Sequence, residues 1–311
     1  MTAITAPDGS LISSLCFGTM QFGSNADDNA AAEMFAACRK AGLNFFDTAH
    51  AYTGGKSETM LGKLAASERD KLIIATKVNF DDGMSAKVIH RSVDESRKRL
   101  GMDTLDILYL HRWDDEVPLE ESFGALAKYV EDGTARYIGV SNYAAWQVMK
   151  AQTVADTFGL KIAILQPMYN LVKRQAEVEI LPMAISEDIA VAPYSPLGGG
   201  LLTGKYASGA TGRLNDVAMY TARYGPRWMH DAAAELAEIG AELDVNPATL
   251  AIAWCARHPG ITAPIISARS ARQLSPSLAA ATFDMDAALY ARISALSPTP
   301  APATDRLEEA I

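Results

Sequence analysis

The sequence predicts an α/β fold: a closed (β/α)8 TIM barrel with an N-terminal β-hairpin and extra C-terminal helices. Three observations predict it. Short apolar runs alternate with longer helix-patterned runs through eight successive strand–helix units in 311 residues, the order and length of such a barrel. The short runs are apolar on both faces, as parallel strands covered on both sides are. Successive runs stop on a polar or ionisable residue (Asp47, Lys77, His111, Ser141), where barrel strands deliver side chains to one face. An open doubly wound sheet also alternates strand and helix, but it accounts less well for the shared polar endings. No linker divides the chain, so residues 1–311 read as a single domain.

The elements follow in order. Pro7-Asp8-Gly9 is a turn signal inside Thr2 to Leu15, predicting a small hairpin that plugs one end of the fold. Leu15–Gly18 is the first strand, and Asp27 to Ala41 a helix stopped by Gly42. Phe45–Asp47 is the second strand, and Ser57 to Ala66 a helix opening on a serine cap. Strand Leu72–Lys77 precedes helix Ser85–Leu100, ended at Gly101. Strand Ile107–His111 precedes helix Pro118–Glu131, where proline suits the first turn and Gly133 the stop. Strand Tyr137–Ser141 leads to helix Ala144–Phe158, strand Ile164–Gln166 to helix Lys173–Ser186, and strand Ala190–Ser195 to a long loop, Pro196 to Met229. Helices Asp231–Leu243 and Pro247–Arg257, strand Thr262–Ile266, and helices Ala271–Ala281 and Met285–Leu296 complete the chain.

Composition narrows the function. Apolar residues make up 49% and charged residues 21%, as in a soluble globular enzyme. The net charge of −9 argues against nucleic acid or an anionic membrane as a partner. No apolar run reaches transmembrane length, and the N-terminus lacks the basic start and apolar core of a signal peptide. Cys16, Cys38 and Cys255 are scattered, without CxxC, and read as buried thiols in a reducing compartment, so the cytoplasm is expected. The five histidines form no HxxxH or HxH pair, so no metal site is expected.

Asp47, Tyr52, Lys77 and His111 fall at or just beyond three consecutive strand ends. Together they suit proton transfer. An ammonium lowers a tyrosine's pKa by stabilising the phenolate, a carboxylate keeps a buried lysine charged, and a histidine orients a carbonyl oxygen. Singly, each has a plainer reading: a structural ion pair for Asp47 and Lys77, a surface aromatic for Tyr52, a core residue for His111. Their joint occurrence favours the chemical one. Gly198-Gly199-Gly200 lets backbone approach a ligand closely, with Lys205 nearby as a cation for a pyrophosphate. A flexible surface loop is the alternative there. The stretch Ile266 to Gln273 opens a helix with hydroxyls and an arginine, an anion site.

Over nearly its whole length the chain resembles the aldo-keto reductase superfamily. The resemblance is carried by Gly18-Thr19-Met20, Asp47-Thr48-Ala49-His50-Ala51-Tyr52, Ala75-Thr76-Lys77, Leu108-Tyr109-Leu110-His111, Gly139-Val140-Ser141-Asn142-Tyr143, Gln166-Pro167-Met168-Tyr169-Asn170, Tyr194 to Lys205 and Pro264 to Gln273. It implies an NADPH-dependent carbonyl reductase, with NADH also admissible. Tyr52 would be the general acid, its pKa lowered by Lys77, with Asp47 holding the lysine and His111 orienting the carbonyl. The nicotinamide would stack on Tyr194, its carboxamide held by Ser141, Asn142 and Gln166. The wider cofactor set would comprise Gly18, Thr19, Met20, Asp47, Ser195, Leu197, Gly199 and Lys205. Ser267 and Arg269 would take the adenosine 2′-phosphate, with Gln273 near the adenine. Serine at 267 and at 277 departs from the family pattern and bears on cofactor preference.

Substrate contacts are expected from Tyr52 and His111, and from Arg112, Trp113 and Trp228, since sugars pair hydroxyl hydrogen bonds with aromatic stacking. The long loop adds Tyr220, Arg223, Tyr224, Arg227 and His230; packing of its aromatics on the barrel is the alternative. The leading expectation is reduction of a small-molecule aldehyde, sugar-like and by analogy a hexose oxidised at C6, by a monomer or small homo-oligomer. Two others stand beside it: an NAD(P)-dependent aldose or pyridoxal-type dehydrogenase, and a non-catalytic cofactor-sensing subunit.

Overall fold

A computed structural model of the chain describes residues 3–206, 212–306 and 308. The ends of the predicted 1–311 domain and positions 207–211 of the predicted long loop lie outside the described residues. Eight parallel strands alternate with helices: β1 (Cys16–Gly18), α1 (Asp28–Lys40), β2 (Phe45–Asp47), α2 (Lys56–Ala65), β3 (Ile73–Lys77), α3 (Ala86–Leu100), β4 (Leu105–Leu110), α4 (Leu119–Glu131), β5 (Ala135–Ser141), α5 (Ala145–Asp156), β6 (Ile162–Gln166), α6 (Ile180–Ser186), β7 (Ala190–Val191) and β8 (Ile265–Ile266). Between β7 and β8 lie α7 (Arg213–Asp216), α8 (Ala218–Arg223), α9 (Arg227–Leu243) and α10 (Pro247–Arg257); α11 (Ala271–Ala279) and α12 (Ala287–Ser294) follow β8.

Neighbouring strands pair in sequence order from β1 to β7, and β8 pairs with β1. The seam is closed by backbone bonds from Thr262 to Val191 and from Ile265 to Pro193, each 2.8 Å. The sheet is therefore a barrel. Its interior is a small apolar cluster that includes Cys16, Phe45, Ile73, Ile107, Ile164 and Ala190, and the alternate residues Phe17, Phe46, Ile74 and Leu108 join the larger cluster between strands and helices. Period-two alternation thus assigns one parity to the barrel axis and the other to the helix layer. Ile4 and Ala6 belong to the interior cluster and plug the N-terminal end of the barrel.

Several expectations are adjusted. The N-terminal hairpin is short: Thr5 bridges Leu11 antiparallel, flanked by backbone bonds from Ala6 to Ser10 and from Ile12 to Ile4, around the Pro7-Asp8-Gly9 turn. α2 is capped by Gly55 rather than Ser57. The Ser57 hydroxyl is buried instead, donating to the Thr19 carbonyl at 2.9 Å and sharing hydrogen bonds with the Thr19 and Thr48 hydroxyls. The predicted helix Lys173–Ser186 is broken into a short turn, Gln175–Glu177, and α6. Pro182 explains the break: proline lacks an N–H and crowds the carbonyl four residues back, so it is best accommodated in a helix's first turn. The predicted loop Pro196 to Met229 contains α7 and α8, and α9 begins earlier than expected. No helix among the described residues is long and apolar enough to cross a membrane.

Candidate active site

The interior parity of each strand ends in a residue at the C-terminal rim. Phe45 is followed by Asp47, Ile73 and Ala75 by Lys77, and Ile107 and Tyr109 by His111. The same alternation brings up Ser141, Gln166, Tyr194 and Ser267. Most of this ring, together with the segments beyond it, lines a cleft of about 390 Å3.

Lys77 lies under the cleft floor, fully buried. Its ammonium donates to Asp47 Oδ1 at 2.5 Å, to the Thr48 carbonyl at 2.7 Å and to the Tyr52 hydroxyl at 3.4 Å, which uses all three of its protons. Asp47 Oδ2 accepts from Gln166 Nε2 at 2.9 Å. Burial opposes the charge on Lys77, but Asp47 and Tyr52 together hold its pKa above the ordinary lysine value. Tyr52 differs from expectation. Burial raises its pKa, and Lys77 offsets this only in part, so the phenol sits above its ordinary value, not below it. Burial, reinforced by the charges of Lys77 and Arg112, pushes His111 down to about 3. Its imidazole is neutral at physiological pH. It meets Tyr52 and Phe80 edge to face, at centroid distances of 6.0 and 4.9 Å.

Local structure fixes these groups. Thr19 Oγ1 donates to the Asp47 carbonyl at 3.0 Å, tying the end of β1 to that of β2. Tyr52 opens a tight turn in which Thr53 takes a positive φ of 50°. On the next wall Asn142, at φ 59°, donates to the His111 carbonyl at 3.0 Å and to Ser141 Oγ at 3.1 Å, and accepts from the Tyr194 hydroxyl at 2.7 Å. Beyond Ser195 and Leu197 the backbone turns through Gly199 and Gly200, with φ of 66° and 100°. A side chain at Gly199 would meet the Tyr220 ring at 2.7 Å. At the far end, Ser270 caps α11 by accepting from the Gln273 N–H, and Gln273 Oε1 accepts from the Arg269 N–H at 2.8 Å.

The structure brings Gly18, Met20, Asp47, Tyr52, His111, Ser141, Asn142, Gln166, Tyr194, Ser195, Leu197, Gly199, Lys205, Ser267, Arg269 and Gln273 onto one cleft. Thr19 and Lys77 lie behind its wall. Three expected substrate residues do not line it. Arg112 sits over the Phe80 ring, Trp113 donates its indole N–H to Asp115 and packs on Tyr143 and Trp146, and Trp228 is exposed near the start of α9. Tyr224 is buried in the core rather than facing the cleft, while Gln21, Tyr220 and Arg223 do line it. The i, i+3 spacing of Tyr220 and Arg223 is the sequence signal for their shared face.

The closed barrel and the rim of polar strand ends define a (β/α)8 enzyme with its cleft at the C-terminal face. The chain belongs to the aldo/keto reductase family, whose sequence profile matches residues 14–298. A protein named "Probable voltage-gated potassium channel subunit beta" from Arabidopsis thaliana is 35% identical over 289 residues, 88% of each chain. The oxidoreductase YrpG of Bacillus subtilis is 33% identical over 94% of each chain. L-glyceraldehyde 3-phosphate reductase of Escherichia coli is 31% identical, covering 81% of this chain and 80% of its own. The chain is thus an aldo-keto reductase enzyme, and its family supports a nicotinamide cofactor.

Proposed function

We propose that the enzyme reduces an aldehyde, sugar or sugar-like, to the alcohol with NADPH, acting as one domain in the cytoplasm. The observation that carries this reading is the buried Lys77 ammonium bridging the Asp47 carboxylate and the Tyr52 hydroxyl at the cleft floor. The relation to a glyceraldehyde phosphate reductase supports a small sugar-like substrate.

The residues fit a dinucleotide. Gly199 and Gly200 bring bare backbone to one wall, where Lys205 adds a cation. Ser267, Arg269 and the N-terminal end of α11 offer an anion site at the other end, suited to a 2′-phosphate. Tyr194 offers a ring face, and Ser141, Asn142 and Gln166 offer polar groups for a carboxamide. When bound, the reduced nicotinamide supplies a hydride to the carbonyl carbon.

The chain's own groups do the rest. Neutral His111 orients the carbonyl oxygen by a hydrogen bond without adding a charge. Tyr52 gives its proton to the oxygen as the alkoxide forms. A phenol raised by burial still does so, because an alkoxide is far more basic than a phenolate. Lys77 then stabilises the phenolate that remains, and Asp47 keeps Lys77 charged.

In Tyr52→Phe, turnover should vanish while tryptophan-fluorescence titration still shows NADPH binding; retained turnover would remove Tyr52 from the mechanism. Arg269→Ala should weaken NADPH more than NADH, whereas equal losses would put the 2′-phosphate elsewhere. The similarity to channel β subunits favours a second reading, a cofactor-sensing subunit. NADPH binding without turnover across an aldehyde panel would select it.

A further inference from the structure

Three cations line the cleft among the described residues: Lys205, Arg223 and Arg269. The proposed function uses Lys205 and Arg269 for the cofactor's phosphates and leaves Arg223 over. Arg223 is the last residue of α8 and only partly exposed. Among the described residues no carboxylate lies within ion-pair distance of it. Its contact is aromatic: the guanidinium lies 5.7 Å from the centre of the Tyr220 ring. Tyr220 stacks on Tyr224 at 6.5 Å and 16°, and Tyr224 is fully buried with its hydroxyl held by Asn170 at 3.3 Å. Tyr220 also rests against Gly199, where no side chain stands between them. A column rooted in the core therefore holds one cation at the cleft wall. It lines the same cleft as Tyr52, His111 and Tyr194. A partly desolvated guanidinium is costly without an anion, and its planar fork matches a carboxylate or a phosphate in a two-bond grip.

We propose that Arg223, positioned by Tyr220, determines specificity by binding an anionic group, carboxylate or phosphate, on the aldehyde substrate. This rests on the reductase reading and names its substrate class. Neutral aldehydes would reach the same floor residues but leave Arg223 unmatched.

The test compares two matched pairs on the full chain: glyceraldehyde 3-phosphate against glyceraldehyde, and 4-oxobutanoate against butanal. Steady-state kinetics at saturating NADPH are run alongside calorimetric binding of the same compounds to the NADPH complex. Wild type should prefer the anionic member of at least one pair, and which pair responds separates phosphate from carboxylate. Arg223→Gln should lower kcat/KM for that member by about 10- to 100-fold, chiefly through KM, with Arg223→Lys recovering part. Neutral members and the KM for NADPH should change less than about twofold, the range expected when no contact is lost. No anionic preference in wild type, or equal losses for charged and neutral members in Arg223→Gln, would overturn the proposal. A raised KM for NADPH with an unchanged substrate ratio would also overturn it, by giving Arg223 to the cofactor. If no aldehyde turns over yet anionic members bind in an Arg223-dependent way, the reductase reading fails and the anion site stands. If neutral aldehydes turn over without an anionic preference, the reverse holds.

Discussion

Lys77 shows how one residue sets the terms for its neighbours. Its ammonium is fully buried, so its charge depends on Asp47, and the Asp47 carboxylate is paired with it in turn. Breaking a buried pair by removing one partner costs about 3–5 kcal/mol, because a charge is left stranded. Lys77→Met should therefore cut turnover by orders of magnitude and also lower the thermal midpoint. Adding Asp47→Asn should recover much of the midpoint but none of the turnover. A single variant as stable as wild type would show that the Asp47–Lys77 pair does not support the fold. His111 makes a second residue-scale prediction. Its folded pKa, about 3, lies below the ordinary value of 6.5, so below pH 6.5 the unfolded chain takes up a proton that the native chain refuses. This contribution to stability is intact above pH 6.5 and is lost as the pH falls toward 3. The unfolding constant should rise by up to about tenfold per pH unit across that window, and His111→Gln should flatten the rise. An identical acid-unfolding slope in both proteins would mean that His111 titrates normally. The polar endings of successive apolar runs made Asp47, Lys77 and His111 legible in the sequence. The direction of the Tyr52 pKa was not, because it depends on how burial competes with Lys77, and only the packed structure weighs the two.

At the scale of elements, the loops and helices aim what the strands deliver. α2 and α3 pack through Gly62, where a side chain would come within 2.2 Å of the Leu100 carbonyl oxygen. Alanine in a helix interior normally gains about 0.5–1 kcal/mol over glycine. Here a backbone atom cannot yield, and overpacking costs about 1–3 kcal/mol or more. Gly62→Ala should therefore destabilise in urea unfolding, and a neutral result would mean that the two helices part without cost. Helices with clear caps, such as α3 behind Ser85 and α10 behind Asn246, were legible almost to the residue. The broken helix at Pro182 was signalled by its proline and overread. Among residues 196–229, no strong period marks α8, so Arg223 reached the cleft through a helix that propensity alone does not announce. Arg112 and Trp113 were misplaced because nearness to His111 in sequence says nothing about which way a loop turns.

For the whole molecule, closure is uneven. β4 and β5 are six and seven residues long, whereas β7 and β8 are two residues each. Local opening favours regions with few hydrogen bonds and contacts. Amides of Thr262, Ala263 and Ile265 should therefore exchange with solvent faster than those of Ile107 to Leu110 in native-state hydrogen exchange. Equal protection would make the barrel one cooperative unit with no weak seam. The plug formed by Ile4 and Ala6 has a kinetic consequence of its own. A cleft floored by a filled barrel opens on one face, and two guests held there as proposed would use it in turn. The one lying nearer the floor enters first and leaves last. On that reading turnover should follow a fixed order, with the spent form of the first guest competing against its fresh form for the empty cleft, which product-inhibition kinetics would check.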